Sequence, residues 1–562
     1  MKVRLRLFVY LIIFIGIALF LNSLTNSFIG DDFDQIVSNT SLLNPFNLQN
    51  FFTGSTFYGG GGESQSGLHY RPLMLFFYSI IYTLFGLKPI FFHIFQLILH
   101  ISNTIMIFLF LRYFFKNSVS FLLSLVFLVH PINNETVVYI ANLQDTLYLF
   151  FGLLATLLVQ AGKIRGMLRG IFFLTLLLLL SIFSKETGIL FIVILLLQSF
   201  LFKKIPPKIA IISSITSSSL YIFIRFIIAD IYIPTQAIAP IANASFLERL
   251  LNLPAILFYY IKTLLYPVQL ATTQFWIHRT IDISNFWLPL ISTLLTLAAI
   301  VYLGIHLKKF PKSFNNYLFF VIWLTIGVGI HIHLIPLEMT VADRWMYFPL
   351  IGILGLLGLT IENTKILRLH KKILLTLAII AICLLSYRSY IRNFDWKDPI
   401  TLYENDTKVD NNNFFLENSL GSEYLIKGEH KKAKPHVEKS LALYQYFGNL
   451  NNMAVIASKE GDKKSTKKYL EKAIKIDNNY VVTENYAKFL YANEASQATI
   501  NFINSALKRY PNNATLWMYY GLAENKLGNR KKALEYTQKA YQLNPSDLTK
   551  STYEGLKGIK LK

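Results

Sequence analysis

The sequence predicts an all-α chain, a polytopic bundle of about eleven transmembrane helices followed by a superhelix of short helical repeats. Three observations carry that expectation. Hydrophobic residues make up 53% of the 562 residues and charged residues only 15%, with a mean hydropathy of +0.43, whereas an ordinary soluble domain is about 25% charged. The charges are unevenly placed: residues 1–390 hold 27 Lys/Arg and 13 Asp/Glu, while residues 391–562 hold 27 and 19 in less than half that length. Self-similarity at a spacing of 33–34 residues marks the second part. A net charge of +22 would point to nucleic acid in a soluble chain. In a membrane protein it reflects cytoplasmic loops that fix orientation, so no nucleic-acid partner is expected. One cysteine, Cys383, excludes a disulfide framework.

Apolar runs able to cross a hydrocarbon core recur near 7–25, 91–112, 118–132, 146–162, 168–183, 188–202, 209–229, 286–307, 315–335, 345–361 and 373–387. The first run follows a basic start and reads as a retained helix, since no small-residue cleavage site precedes Asp31. Basic clusters at Lys2/Arg4/Arg6, Arg112/Lys116, Lys163/Arg165/Arg169, Lys203/Lys204/Lys208, Lys308/Lys309/Lys312 and Lys365/Arg368/Lys371/Lys372 are separated by pairs of runs. One orientation therefore puts all six clusters in the cytoplasm, with the N-terminus inside and the C-terminus outside. Two further apolar stretches, 73–87 and 251–267, then read as interfacial or re-entrant helices on the outer side. Twelve of the 13 acidic residues of this half share that side, Glu362 being the exception. Ionisable groups at membrane depth mark functional sites.

After Trp396 the chain turns polar. Ser440, Ala473, Ala506 and Ala540 recur with the period, as do the turn glycines Gly428, Gly461 and Gly528. The unit containing Trp517-Met518-Tyr519-Tyr520-Gly521-Leu522-Ala523, then Gly528, Ala533, Tyr536, Ala540 and Pro545, resembles a tetratricopeptide repeat, whose small residues let paired helices pack. The expected organisation is a membrane domain over 1–390, a linker over 391–414, about four repeats over 415–547 and a tail over 548–562. Such arrays bind proteins or peptides in a concave groove; a structural spacer or dimerisation element is the alternative.

The chemistry-bearing residues fall in five outer segments. The first is Gly30-Asp31-Asp32-Phe33-Asp34, where adjacent carboxylates at a helix end are costly unless they bind a cation, accept a hydrogen bond or share a proton. Helix capping is the competing use. The others are His69-Tyr70-Arg71-Pro72-Leu73, His130-Pro131-Ile132-Asn133-Asn134-Glu135 running on to Gln144-Asp145, Ser184-Lys185-Glu186-Thr187-Gly188, and Val341-Ala342-Asp343-Arg344-Trp345-Met346-Tyr347. His331 and His333, two apart in a helix, cannot share a face, which argues against a zinc pair. Gly59 to Gly62 lack a following Lys-Ser/Thr and are no phosphate-binding loop; they read as a flexible lid.

These five segments, in this order and with a repeat tail, resemble the GT-C glycosyltransferases of the protein O-mannosyltransferase group, specifically the transmembrane and tetratricopeptide-repeat-containing O-mannosyltransferases. The resemblance spans almost the whole chain. It implies a sugar donor linked to polyprenyl phosphate and an acidic residue of the first outer loop that activates an acceptor hydroxyl. Carried over by motif, that pair is Asp31/Asp32, with Asp32 favoured as base and Asp31 orienting it or the acceptor. The chain departs from the pattern at Asn142-Leu143-Gln144-Asp145, where the family often shows Gly-Arg-x-Asp.

Transfer from a lipid phosphate also needs a cationic cradle for the leaving group. Arg344, Lys185 and Arg71 are the candidates, and Arg suits bidentate phosphate contact. Their neighbours Asp343 and Glu186 offer competing ion pairs. Glu135 and Asp145, together with Glu186 and Asp343 where these are not held in ion pairs, are expected to orient the substrate, with His69 and His130 as orienting or scaffold residues. No metal ligand set is assigned; a divalent ion could bind through carboxylates but the sequence does not require one. The expected function is an inverting transfer of a mannose-like sugar to protein Ser/Thr on the outer face of a bacterial cytoplasmic membrane, the bacterial origin resting on Lys-, Ile- and Asn-rich usage. Rivals are a transferase acting on a lipid or envelope glycan, and a non-catalytic repeat scaffold.

Overall fold

A computed structural model describes residues 2–46, 48–53, 56, 69–164, 166–231, 238–364 and 370–558. Glu63, Arg165, Lys365, Arg368 and the glycines 59–62 lie outside the described residues. Among those described, regular structure is helical; a single antiparallel bridge joins Gln274 to Val341.

Each of the eleven expected spans carries a helix, but they are not alike. Among the described residues, seven helical segments are long and apolar enough to cross a membrane: Leu5–Thr25, Pro89–Leu111, Ile140–Gln160, Met167–Ser184, Pro207–Ile228, Ile283–Leu307 and Lys372–Asp395. An eighth is broken, Asn117–Val129 meeting Pro131–Val138 at 51°. Pro131 causes the break, because it cannot donate to the turn before it. The carbonyl freed at Phe127 accepts from the Asn133 side chain at 2.7 Å, as low-dielectric surroundings demand. Glu186–Phe200 and Pro349–Asn363 are shorter apolar helices, and Pro311–Gly329 fills the remaining run. Proline opens several of these helices, where its missing N–H costs nothing. The protein is thus a multi-pass membrane protein with an all-helical bundle.

Tight packing sets the geometry beneath the site. A Cβ on Gly152 would fall 2.1 Å from the Phe191 ring, so helix Leu143–Gln160 lies directly against Leu190–Phe200. Helix Pro72–Phe85 covers one of the two stretches expected at the interface. The other holds Phe246–Leu265, which is amphipathic: Asn252, Ala255, Ile256, Tyr260 and Thr263 face inward while Phe246, Leu247, Leu250 and Leu265 are exposed. It opens on a capping box between Ser245 and Glu248.

The segment expected to be a linker is ordered. Helix Lys371–Asp395 ends at Trp396, which is fully buried with its indole 5.5 Å from the Tyr139 ring. Helix Pro399–Val409 follows, capped by Asp398. Buried Arg392 pairs with Asp406 at 2.7 Å, and Asp406 also accepts the Thr272 amide at 2.7 Å. Trp396→Ala is expected to destabilise the protein by about 3–5 kcal/mol, the cost of a large core truncation. A lowered Tm in detergent or nanodiscs checks this.

Four helical hairpins complete the chain: Phe414–Ile426 with His430–Leu443, Phe447–Lys459 with Lys463–Ile476, Tyr480–Asn493 with Ser496–Arg509, and Ala514–Lys526 with Arg530–Leu543. Helix Asp547–Lys557 follows them. The periodic small residues Ser440, Ala473, Ala506 and Ala540 are all buried between paired helices.

Candidate active site

The first loop is shaped by a glycine. Gly30 has φ +51°, and a Cβ there would lie 2.9 Å from the Tyr139 hydroxyl and 3.3 Å from that of Tyr403. That close approach lets the Asp31 amide donate to the Tyr139 hydroxyl at 2.8 Å. The two neighbouring carboxylates then diverge. Asp32 turns inward and is 1% exposed, its Oδ2 accepting the Ile29 amide at 2.9 Å and its Oδ1 the Ala141 amide at 2.7 Å. It clamps the loop to the turn Ile140–Asn142. Asp31 is open to solvent.

Electrostatics separate them further. Burial raises the Asp32 carboxyl well above the usual range, against the two amides that favour its charged form. Surrounding protein also raises Asp31, opposed by Arg344, reinforced by Glu338 and opposed again by His69 and Arg71. Asp34 is pushed up to about 6 by burial and by Asp31. Of the pair expected to hold the base, Asp32 is buried and its carboxylate is taken by two amides, while Asp31 and Asp34 are exposed; a base must reach the substrate hydroxyl.

Each of the three expected cations is held by a carboxylate. Arg344, on the turn Asp343–Met346, pairs through its guanidinium with Glu135, and its amide donates to the same carboxylate at 3.1 Å. Lys185 caps helix Met167–Ser184 and pairs with Asp145 at 2.7 Å. Arg71 reaches Glu186 at 3.4 Å and His69 Nδ1 at 2.9 Å. The neighbour pairs Lys185–Glu186 and Arg344–Asp343 considered from sequence do not form. Lys185 is extended and Glu186 opens the next turn, while Asp343 and Arg344 are successive residues of one turn and face different ways; Glu186 thus serves Arg71 and Arg225, the latter at 3.1 Å, and Asp343 accepts the Tyr259 hydroxyl at 2.7 Å. Burial and the charge of Glu135 push Asp343 up to about 7. Burial lowers Lys185, which Asp145 counters and Arg71 and Arg344 reinforce.

The histidines divide. His69 accepts from Arg71 at Nδ1, so its Nε2 carries the proton and donates to Glu338 at 2.6 Å. Against its burial, His69 and the two arginines hold Glu338 down at about 2. His130 is scaffold: Nδ1 accepts the Ile132 amide and Nε2 meets the Leu264 carbonyl at 3.0 Å. That leaves no ring nitrogen to orient a sugar. His331 stacks on Trp345 at 4.6 Å while His333 meets the Thr340 carbonyl, so the two histidines do not converge. No group of three or more His, Cys, Asp or Glu able to hold a metal ion occurs among the described residues. Sequence reasoning missed Tyr139, Tyr259, Tyr403 and the roles of Glu338 and Arg225. Tyr139 lies four residues beyond Glu135 and could have been read as part of its turn; Tyr403 carried no local signal.

Residues 448–480 match the tetratricopeptide repeat family, so the architecture is an apolar helical bundle carrying such repeats. Over 445 residues, 73% of the chain, it is 24% identical to protein O-mannosyl-transferase TMTC3 of Homo sapiens, covering 48% of that protein. It is also 24% identical over 450 residues to protein O-mannosyl-transferase F38B6.6 of Caenorhabditis elegans, covering 77% of the chain and 62% of the relative. Protein O-mannosyl-transferase TMTC1 of Homo sapiens matches 30% of the chain and 20% of its own length at 33% identity. The chain spans about half the length of the human TMTC3 relative.

Proposed function

We propose that this protein is a GT-C-type glycosyltransferase that moves a mannose-like sugar from polyprenyl phosphate to a protein Ser or Thr hydroxyl at the outer face of the membrane. The observation that carries the reading is the exposed Asp31 carboxylate, whose charged form Arg344 and Arg71 favour. An anion-binding cluster beside a general base suits displacement of a phosphate by a hydroxyl. Asp31 takes the proton of the acceptor O–H as its oxygen bonds to the anomeric carbon. The bond from that carbon to the phosphate oxygen breaks, and the electron pair leaves with the phosphate. Arg344, Lys185 and Arg71 receive the growing negative charge. Glu135, Asp145 and Glu186 keep those cations in place, each already paired. Asp32 positions the loop.

The names of the relatives agree with this chemistry. The test is incubation of the purified full chain with a panel of polyprenyl-phosphate sugars, following sugar release or transfer; no turnover of any donor would overturn the reading. The base has a further signature. Asp31 acts only when ionised, so transfer rises with pH through its raised pKa. Glu338→Gln removes a negative charge that raises Asp31, so the acid limb of the pH–rate profile is expected to move to lower pH.

A further inference from the structure

A cleft of about 820 Å³ lies between helix Phe246–Leu265, the segment 274–278 and the first repeat hairpin. One wall is extended chain. The carbonyls of Gln274 and Trp276 accept from the amide and hydroxyl of Thr340 at 2.8 and 2.6 Å. Alternate residues of an extended chain direct their main-chain groups to opposite sides, so those of Phe275 and Ile277 turn away from Thr340. No hydrogen bond among the described residues engages the main-chain N–H or C=O of either, and both are only half-buried. Asn412 and Tyr444 of the repeat side form the facing wall. Tyr259 lines the cleft and donates to Asp343, the residue before Arg344.

We infer that this cleft holds the acceptor as an extended polypeptide, added as a strand along Phe275 and Ile277 and covered by the first repeat. The inference rests on the glycosyltransferase reading and names its acceptor site. An unpaired extended edge is a liability that proteins normally cover; here it is left inside a cleft, where a peptide would pair with it. Strand addition takes affinity from main-chain bonds and specificity from pockets for alternate side chains. The aromatic rings of Tyr259, Trp276 and Tyr444 provide such pockets. A glycan could stack on the same rings but would leave the main-chain edge unused.

Two variants test this without touching the cations or Asp31. Ile277→Pro removes an edge donor, and Asn412→Trp fills the cleft from an exposed position on the facing wall. Each is measured twice: as purified full chain, by hydrolysis of polyprenyl-phosphate mannose with water as acceptor, and in cells lacking the native gene, by mass spectrometry of hexose on secreted proteins. Donor hydrolysis reports an intact fold and is expected to persist. Protein hexosylation is expected to fall by about tenfold or more, the worth of one or two main-chain hydrogen bonds. Unchanged hexosylation in Asn412→Trp with hydrolysis retained would overturn the inference. So would loss of hexose from a lipid or glycan fraction instead of from protein. Should the wild-type chain itself neither hydrolyse the donor nor hexosylate protein, the glycosyltransferase reading falls, and the cleft assignment with it.

Discussion

Asp31→Asn lowers sugar transfer by about 10²–10⁴-fold, the usual worth of a general base, while the protein inserts and melts as the wild type does. The Asp31 side chain is open to solvent, and the loop's contact with Tyr139 is made by the Asp31 amide rather than by its carboxylate. The variant therefore removes a proton acceptor and little else. Asp32→Asn behaves differently. Its carboxylate accepts two buried amides, from Ile29 and Ala141; an asparagine offers one acceptor oxygen and turns its NH2 towards the other amide. An orphaned buried donor costs about 1–3 kcal/mol, so this variant is expected to lose thermal stability and membrane yield first. Steady-state kinetics together with Tm on both variants separates the roles. An Asp32→Asn protein that melts normally but cannot transfer, beside an active Asp31→Asn, would reverse the assignment.

That contrast shows how far the sequence could be read. Hydropathy placed a helix in each run, because an apolar stretch in lipid must satisfy its own backbone. The small residues at Ser440, Ala473, Ala506 and Ala540 announced the hairpins, since only a small side chain fits between closely paired helices. The five motif segments hold Asp31, Arg71, Glu135, Asp145, Lys185, Glu186 and Arg344, but not Glu338 or Arg225, which pair with His69 and Glu186. What stayed hidden was pairing. Glu135 with Arg344 is a contact 209 residues apart in sequence, and Lys185 with Asp145 spans 40. Local spacing suggested Glu186 and Asp343 instead, and tertiary packing decided otherwise. Likewise nothing in Asp31-Asp32 says which carboxylate turns inward; the conformation of Gly30 and the amides of Ile29 and Ala141 decide that. The order in the segment 391–414 was hidden for the same reason, because Trp396 and Arg392 find their partners in Tyr139 and Asp406.

Arg344→Lys is the second large expected effect: a fall in kcat of about 10²–10³-fold, the cost of losing one well-placed donor to transition-state charge. The guanidinium has two partners to serve. One nitrogen is committed to Glu135, and the planar fork can still present further N–H groups to a phosphate at a fixed angle. A lysine ammonium keeps the positive charge near buried Glu135, so the fold should hold, but it is a point charge and cannot serve both partners in that geometry. Arg344→Ala would instead leave Glu135 charged and unpaired, a loss of about 3–5 kcal/mol, and its inactivity would say nothing about catalysis. The lysine variant is therefore the informative one. If Arg344 meets the leaving phosphate, Arg344→Lys also weakens inhibition by free polyprenyl phosphate, while Tm stays close to that of the wild type. If it serves Glu135 alone, kcat and that inhibition both stay at wild-type levels, and the phosphate contact must be sought at Lys185 and Arg71.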